Sequence, residues 1–244
     1  MFSWFSRKKK KLDPVDFSSL RTDIHSHLIP GIDDGAPDLE TSIEIIKKLM
    51  TLGYSNFITT PHIMSDIYRN TPEIILGGLK KLRAELSRLK IDVKIEAAAE
   101  YFVDYEFENK IGKEKFLTFG DNYILIEFSF LEKPQNIDEI IFKLQLEGYK
   151  VVLAHPARYL YLNLEDYKSF TNRGVYLQLN LLSLLGYYSQ EVKANANILI
   201  KNKMVSFIGT DCHNVRHATL YKKCQTEKMW HFLIESKTLL NSKF

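Results

Sequence analysis

The 244-residue sequence has only two cysteines, Cys212 and Cys224. That is too few for a disulfide framework in a chain of this length, and a reducing compartment is the simpler expectation. No stretch approaches the ~20 apolar residues that a membrane-spanning helix needs. The N-terminus has no long apolar region after the basic run Arg7 to Lys11, so a secretory signal is not expected. Net charge is also scarce. The formal value is +3, part of it in that one run, which argues against a nucleic-acid-binding surface spread over the fold. No internal repeat, further low-complexity segment or internal domain boundary is apparent. The expectation is a basic tail over residues 1–20 and one domain over residues 21–244, in the cytoplasm. Phe2, Trp4 and Phe5 next to the lysines allow either a solvated tail or a weak contact with an anionic membrane surface, which would place the protein at the periphery of the inner membrane.

What is present is a globular balance, 45% hydrophobic and 26% charged, with apolar material for a sizeable core. Compact aliphatic runs at residues 21–25, 57–60, 93–99, 123–128, 151–154, 175–179 and 205–209 read as strands buried on both faces. Helical patterns lie between most of them. One has Asp38 as its N-cap and ends at Gly53; another opens with Thr71-Pro72-Glu73, a cap followed by proline at the first helical position. Others cover 137–147 and 190–201. Seven strands alternating with helices imply a parallel sheet.

The strand ends carry the chemistry. The first ends in His25-Ser-His27 with Asp34 in the following loop, and the second ends in Pro61-His62. The third ends in Glu100, the fourth carries Glu127, the fifth ends in His155, and the seventh leads to Asp211-Cys-His213. In parallel α/β barrels this end holds the active site. Each residue alone has an ordinary structural reading. Together, so many buried ionisable groups at one mouth would be prohibitively unfavourable without metals. Five histidines and four carboxylates exceed the needs of one centre and imply two or three divalent ions, with Glu100 as a bridge. The imidazole and carboxylate mixture suits Mn, Fe or Zn. Cys212 falls between two ligands in strand alternation and reads as packing.

These motifs resemble the polymerase and histidinol phosphatase (PHP) superfamily. Within it they are similar to the metal-dependent bacterial protein-tyrosine phosphatases of capsule and exopolysaccharide operons. The segment from Asp23 to Gly35, Thr59-Thr60-Pro61-His62 and His155-Pro-Ala-Arg158-Tyr159 carry the likeness, which runs from about Thr22 to about Arg216. The resemblance implies a distorted (β/α)7 TIM-like barrel with a trinuclear centre at the C-terminal ends of the strands, using the nine residues above. Manganese is the first expectation, with Fe, Zn or Mg as alternatives. It also implies hydrolysis of phosphotyrosine on a cognate bacterial tyrosine kinase, at its C-terminal tail, in the control of polysaccharide export.

Clustered divalent ions would neutralise a phosphate monoester and make hydroxide available near neutral pH. Arg158 and Arg216 are the candidates to hold the non-bridging oxygens, since a planar guanidinium suits phosphate bidentately; Arg158 has a rim salt bridge as its alternative role. His217 and His231 read as surface or packing residues, and Tyr68 and Arg69 as a solvated loop. Cysteine-based phosphatase chemistry requires Cys-x5-Arg, but Ala218 and Trp230 occupy the corresponding positions after Cys212 and Cys224, which excludes it. Three other readings stay open. They are a PHP phosphoesterase acting on histidinol phosphate or a nucleotide, an amidohydrolase, and a non-catalytic module that binds a kinase.

Overall fold

The computed structural model describes residues 12–244. The run Arg7 to Lys11 and the membrane contact read from it lie outside the described residues. Among the described residues there are nine short strands: β1 (Thr22–Asp23), β2 (Asn56–Thr59), β3 (His62–Ile63), β4 (Lys94–Ala97), β5 (Glu100–Phe102), β6 (Tyr123–Glu127), β7 (Lys150–Ala154), β8 (Tyr176–Asn180) and β9 (Val205–Gly209). The principal helices are α1 (Leu39–Thr51), α2 (Pro72–Arg88), α3 (Tyr105–Lys110), α4 (Ile137–Leu146), α5 (Leu164–Asn172), α6 (Gln190–Lys201), α7 (Val215–Leu220) and α8 (Lys228–Ser236).

These strands make seven staves, because two of the expected strands are each split. Pro61 has no N–H to give a ladder, and it separates β2 from β3. The neighbouring stave breaks alongside it, at Ala98-Ala99 between β4 and β5. The backbone bridges both gaps, with Ala98 N donating to Thr59 O (2.9 Å) and Glu100 N to Pro61 O (3.1 Å). Every pairing between named strands is parallel, in the orders β1-β2-β4 and β3-β5-β6-β7-β8-β9. The first and last staves then meet. Asp211 N donates to His25 O (2.7 Å) and His27 N to Cys212 O (3.0 Å), with a parallel bridge between Ser26 and Cys212. The result is the expected seven-stave α/β barrel.

The helices begin where their capping residues put them. Asp38 accepts from Thr41 N at 2.8 Å, and Thr71 caps α2 ahead of Pro72. Their apolar faces, such as Ile43, Ile46 and Leu49 on α1 and Leu79, Leu82 and Leu86 on α2, are buried in the main core. A second, smaller cluster draws Ile24, Ile58, Ala98, Leu125, Val152, Ala154 and Phe207 from six of the staves. At its edge the Phe244 ring packs against Phe119, Tyr123 and Phe207, and its carbonyl accepts from Thr22 Oγ1 and Asn56 Nδ2.

The packed body begins before residue 21. Phe17 is fully buried against Tyr54 and Trp230, Trp230 Nε1 donates to Val15 O, and Val15 N donates to Gln225 O. The expected boundary at residue 20 therefore falls inside a segment that the body holds by both side chains and backbone.

Candidate metal centre

All nine expected ligand residues meet at one end of the barrel, and eight of them form three overlapping groups of donor atoms. The deepest contains His25, His27, Glu100 and Asp211. His25 Nε2 lies 3.2 Å from Glu100 Oε2, 3.4 Å from Asp211 Oδ1 and 3.4 Å from His27 Nε2. His27 Nε2 is 3.5 Å from the same glutamate oxygen and 3.3 Å from the same aspartate oxygen. Ligands about 2.0–2.1 Å from a tetrahedral ion are separated by about 3.3–3.4 Å. The four atoms thus have the mutual spacing of one first-row metal's ligands.

A second group joins His27, Asp34, His62 and His213 nearer the surface, with Asp34 Oδ1 3.6 Å from His62 Nε2 and 3.5 Å from His213 Nε2. A third joins His62, Glu100 and Glu127. Here His62 Nδ1 is 2.8 Å from Glu127 Oε1 and 3.2 Å from Glu100 Oε2, yet all three atoms are buried with no hydrogen-bond partner. Orphaned buried polar atoms are costly. Donors that converge without hydrogen-bond geometry fit a cation between them. His155 stands beside this group, its Nε2 2.9 Å from Glu100 Oε1 and 3.5 Å from Glu127 Oε2. Glu100 is therefore central, with one oxygen toward His155 and the other toward three histidines.

Electrostatics points the same way. Burial resists charge on His25, but the Glu100 and Asp211 carboxylates outweigh it and raise the imidazole to about 9. Burial likewise opposes charge on Glu100 and Asp211, yet His25 holds both well below the usual carboxylate range. The carboxylates demand positive charge, and imidazole protons supply it; a divalent ion would displace them.

The backs of the ligands are held by residues that the sequence reading passed over. Asp33 Oδ2 lies 2.8 Å from His27 Nδ1 and also takes the His62 backbone N–H. Burial opposes charge on Asp33, but His27 draws it down to about 2. The sixth stave supplies no ligand and instead provides a polar relay. Gln178 Oε1 sits 2.8 Å from His25 Nδ1, Gln178 Nε2 donates to Asn180, and Asn180 Nδ2 donates to Asp211 Oδ2 at 2.6 Å. Such partners fix the tautomer and aim of metal-ligating groups. Space for them requires Gly209, where a Cβ would lie 2.6 Å from both His25 Cβ and Gln178 Nε2. His155 and Asp211 themselves have left-handed backbone, φ +35° and +53°, a conformation uncommon outside glycine that marks constrained functional positions.

The centre opens into a cleft of about 320 Å³ lined by Arg158, Phe130, Tyr188, Asn214, His217 and several of the ligand residues. Arg158 is flanked by aromatic rings, its guanidinium carbon 4.1 Å from the Phe130 centroid and 4.5 Å from that of Tyr188. Its Nη1 is 3.6 Å from Asp211 Oδ2. Arg216 is not there. It is exposed on α7 and lines no part of the cleft. Adjacent helical residues point about 100° apart, so the turn that brings His217 to the cleft carries Arg216 away from it. His217, read from sequence as a surface or packing residue, is thus a cleft residue, with Nε2 3.1 Å from Tyr187 Oη. Tyr68 stacks on His62, ring centroids 5.5 Å apart. A larger cavity, about 620 Å³ between Arg69 and Phe116, includes none of the nine ligand residues.

Comparison with known proteins gives a consistent result. A family model described as capsular polysaccharide synthesis, CpsB/CapC, matches residues 21–229. The chain is 32% identical to the tyrosine-protein phosphatase YwqE of Bacillus subtilis over 197 residues, 80% of this chain and 78% of the relative. It superimposes with a TM-score of 0.77 and 28% identity on a crystal structure from work on YwqE and CpsB of Streptococcus pneumoniae, described as metal-dependent tyrosine phosphatases. The match covers 88% of this chain and 91% of that one. A histidinol phosphate phosphatase of Lactococcus lactis shares the fold, with a TM-score of 0.51 at 13% identity over 85% and 92% of the two chains.

Proposed function

The chain belongs to the CpsB/CapC family of capsular polysaccharide synthesis proteins, and from that premise we propose that it is a metal-dependent protein-tyrosine phosphatase. The observation that carries this reading is the donor tetrad of His25, His27, Glu100 and Asp211, spaced for one ion and opening onto a cleft where Arg158 waits. Three overlapping donor groups support two or three ions, and their all-nitrogen and oxygen chemistry supports manganese first, then iron, zinc or magnesium. The ions would neutralise the phosphate and supply a nucleophilic water near neutral pH.

The side chains have separable tasks. Arg158 binds the non-bridging phosphate oxygens, held flat by Phe130 and Tyr188 so that little ordering entropy is lost when phosphate arrives. Asp33, Gln178 and Asn180 orient the ligands. The leaving group is a phenolate whose parent pKa is about 10, so it needs less proton transfer than an alkoxide. Neither cysteine competes as nucleophile, since both are buried and burial pushes the Cys212 thiol up to about 12. A family defined by capsular polysaccharide synthesis supports a phosphotyrosine protein of that system as substrate. We assign the C-terminal tail of a bacterial tyrosine kinase to this role, in the cytoplasm.

The test is hydrolysis of a phosphotyrosine peptide and of histidinol phosphate with Mn²⁺, with chelator, and with His27→Ala. Peptide turnover abolished by chelator and by the substitution is the expected result. Turnover of histidinol phosphate alone would move the protein to small-molecule chemistry on the same site.

A further inference from the structure

Apart from ligand-type residues, few of the described side chains wall the cleft, and of these only Phe130 and Tyr188 are rich in carbon. Tyr188 is tied back, its hydroxyl accepting from Asn180 Nδ2 at 3.1 Å. Phe130 keeps 46% of its surface exposed. Its position is nonetheless firmly set. Phe128 N donates to Tyr159 Oη at 2.9 Å, Tyr161 Oη donates to Ser129 O at 2.7 Å, and the Phe130 ring stacks on Tyr159 with centroids 5.7 Å apart. Two tyrosines thus pin the backbone leading to an aromatic ring that stands at the cleft beside the guanidinium.

Resting on the phosphatase reading above, we propose that Phe130 determines specificity by receiving the phenyl ring of phosphotyrosine while Arg158 holds its phosphate. The geometry leads there directly. Phosphate and ring in an aryl monoester are joined through a single oxygen, and Arg158 and Phe130 are themselves in contact at 4.1 Å. A phosphate held at Arg158 therefore brings an attached ring to the part of Phe130 that Arg158 and Tyr159 leave exposed, where aromatic pairs attract beyond simple area burial. A phosphoserine offers only a methylene at that point and leaves Phe130 facing water. Because the wall is already in place, little of the attraction is spent on ordering it.

The experiment uses the full chain loaded with Mn²⁺ and two peptides of identical flanks, one with phosphotyrosine and one with phosphoserine, the latter also measured as a competitive inhibitor. Phe130→Leu is expected to raise KM for the phosphotyrosine peptide and lower its kcat/KM about three- to tenfold. Its effect on the phosphoserine peptide should be clearly smaller, limited to the support the ring gives Arg158, and Phe130→Tyr should restore the phosphotyrosine values. Equal losses on both peptides would make Phe130 merely a support for Arg158 and overturn the proposal, as would no loss on either. A wild-type enzyme that turned over neither peptide would instead sink the phosphatase reading, an outcome visible before any variant is made.

Discussion

Gln178 supports His25 from behind: its Oε1 lies 2.8 Å from His25 Nδ1 and also accepts the backbone N–H of His155 at 3.1 Å. One amide oxygen thereby fixes two staves of the centre. Gln178→Leu keeps bulk but removes both partners. Metal affinity should fall about ten- to hundredfold, measured by calorimetric titration with Mn²⁺. Unchanged affinity would show that the ring of His25 is held by packing alone.

The two arginines should separate cleanly. Arg158→Lys keeps the charge but loses the planar fork between two rings, and kcat/KM should drop about ten- to hundredfold. Arg216→Ala, on the exposed face of α7, should stay within about twofold of the parent. Steady-state kinetics with a phosphotyrosine peptide decides, and a large loss from Arg216→Ala would mean that α7 turns when substrate binds.

The ion-dependent stability should vary with pH in a defined direction. Without ions, burial opposes charge on His25 while Glu100 and Asp211 lift its pKa from the ordinary 6.5 to about 9. A raised imidazole pKa contributes stability that is complete below 6.5 and fades as pH climbs through 9. A bound ion needs that imidazole neutral, so the loaded protein does not share this loss. The Tm gap between Mn²⁺-loaded and chelated protein should therefore widen from pH 6.5 to 9, read by calorimetry or fluorimetry. A flat or narrowing gap would contradict the assigned proton on His25.

Gly209→Ala tests the space behind the ligands. The added methyl would meet His25 Cβ and Gln178 Nε2 at 2.6 Å, and overpacking of this kind costs about 1–3 kcal/mol. Chemical denaturation should report that loss together with weakened Mn²⁺ binding. Loss of stability with metal affinity intact would place the strain on the Gln178 side.

The staves and the nine residues that meet at their ends were legible in the sequence because a parallel barrel writes them in plain form, as an aliphatic run followed by a His or a carboxylate. Pro61 broke its stave for a reason equally visible, but the matching break at Ala98-Ala99 depends on the neighbour and has no signal of its own. Gln178 was hidden inside, and Asn180 just past the end of, what read as one more apolar strand. An alternating polar pair in a strand that supplies no ligand was the available clue. Asp33 was masked by Asp34, since adjacent identical residues give no indication which faces inward. That His217 faces the cleft and Arg216 the exposed side was not legible, because two neighbours on a short helix differ only by its rotation.

Glu100 shapes how the centre fills. Its Oε2 lies within 3.5 Å of His25, His27 and His62, and its Oε1 within 2.9 Å of His155, while His27 and His62 each belong to two donor groups. On the proposed multi-ion reading, ions in adjoining groups would draw on the same donors. Occupancy would then be a collective property, and a preparation carrying one ion per chain would be a different catalyst from a half-diluted sample of the full one.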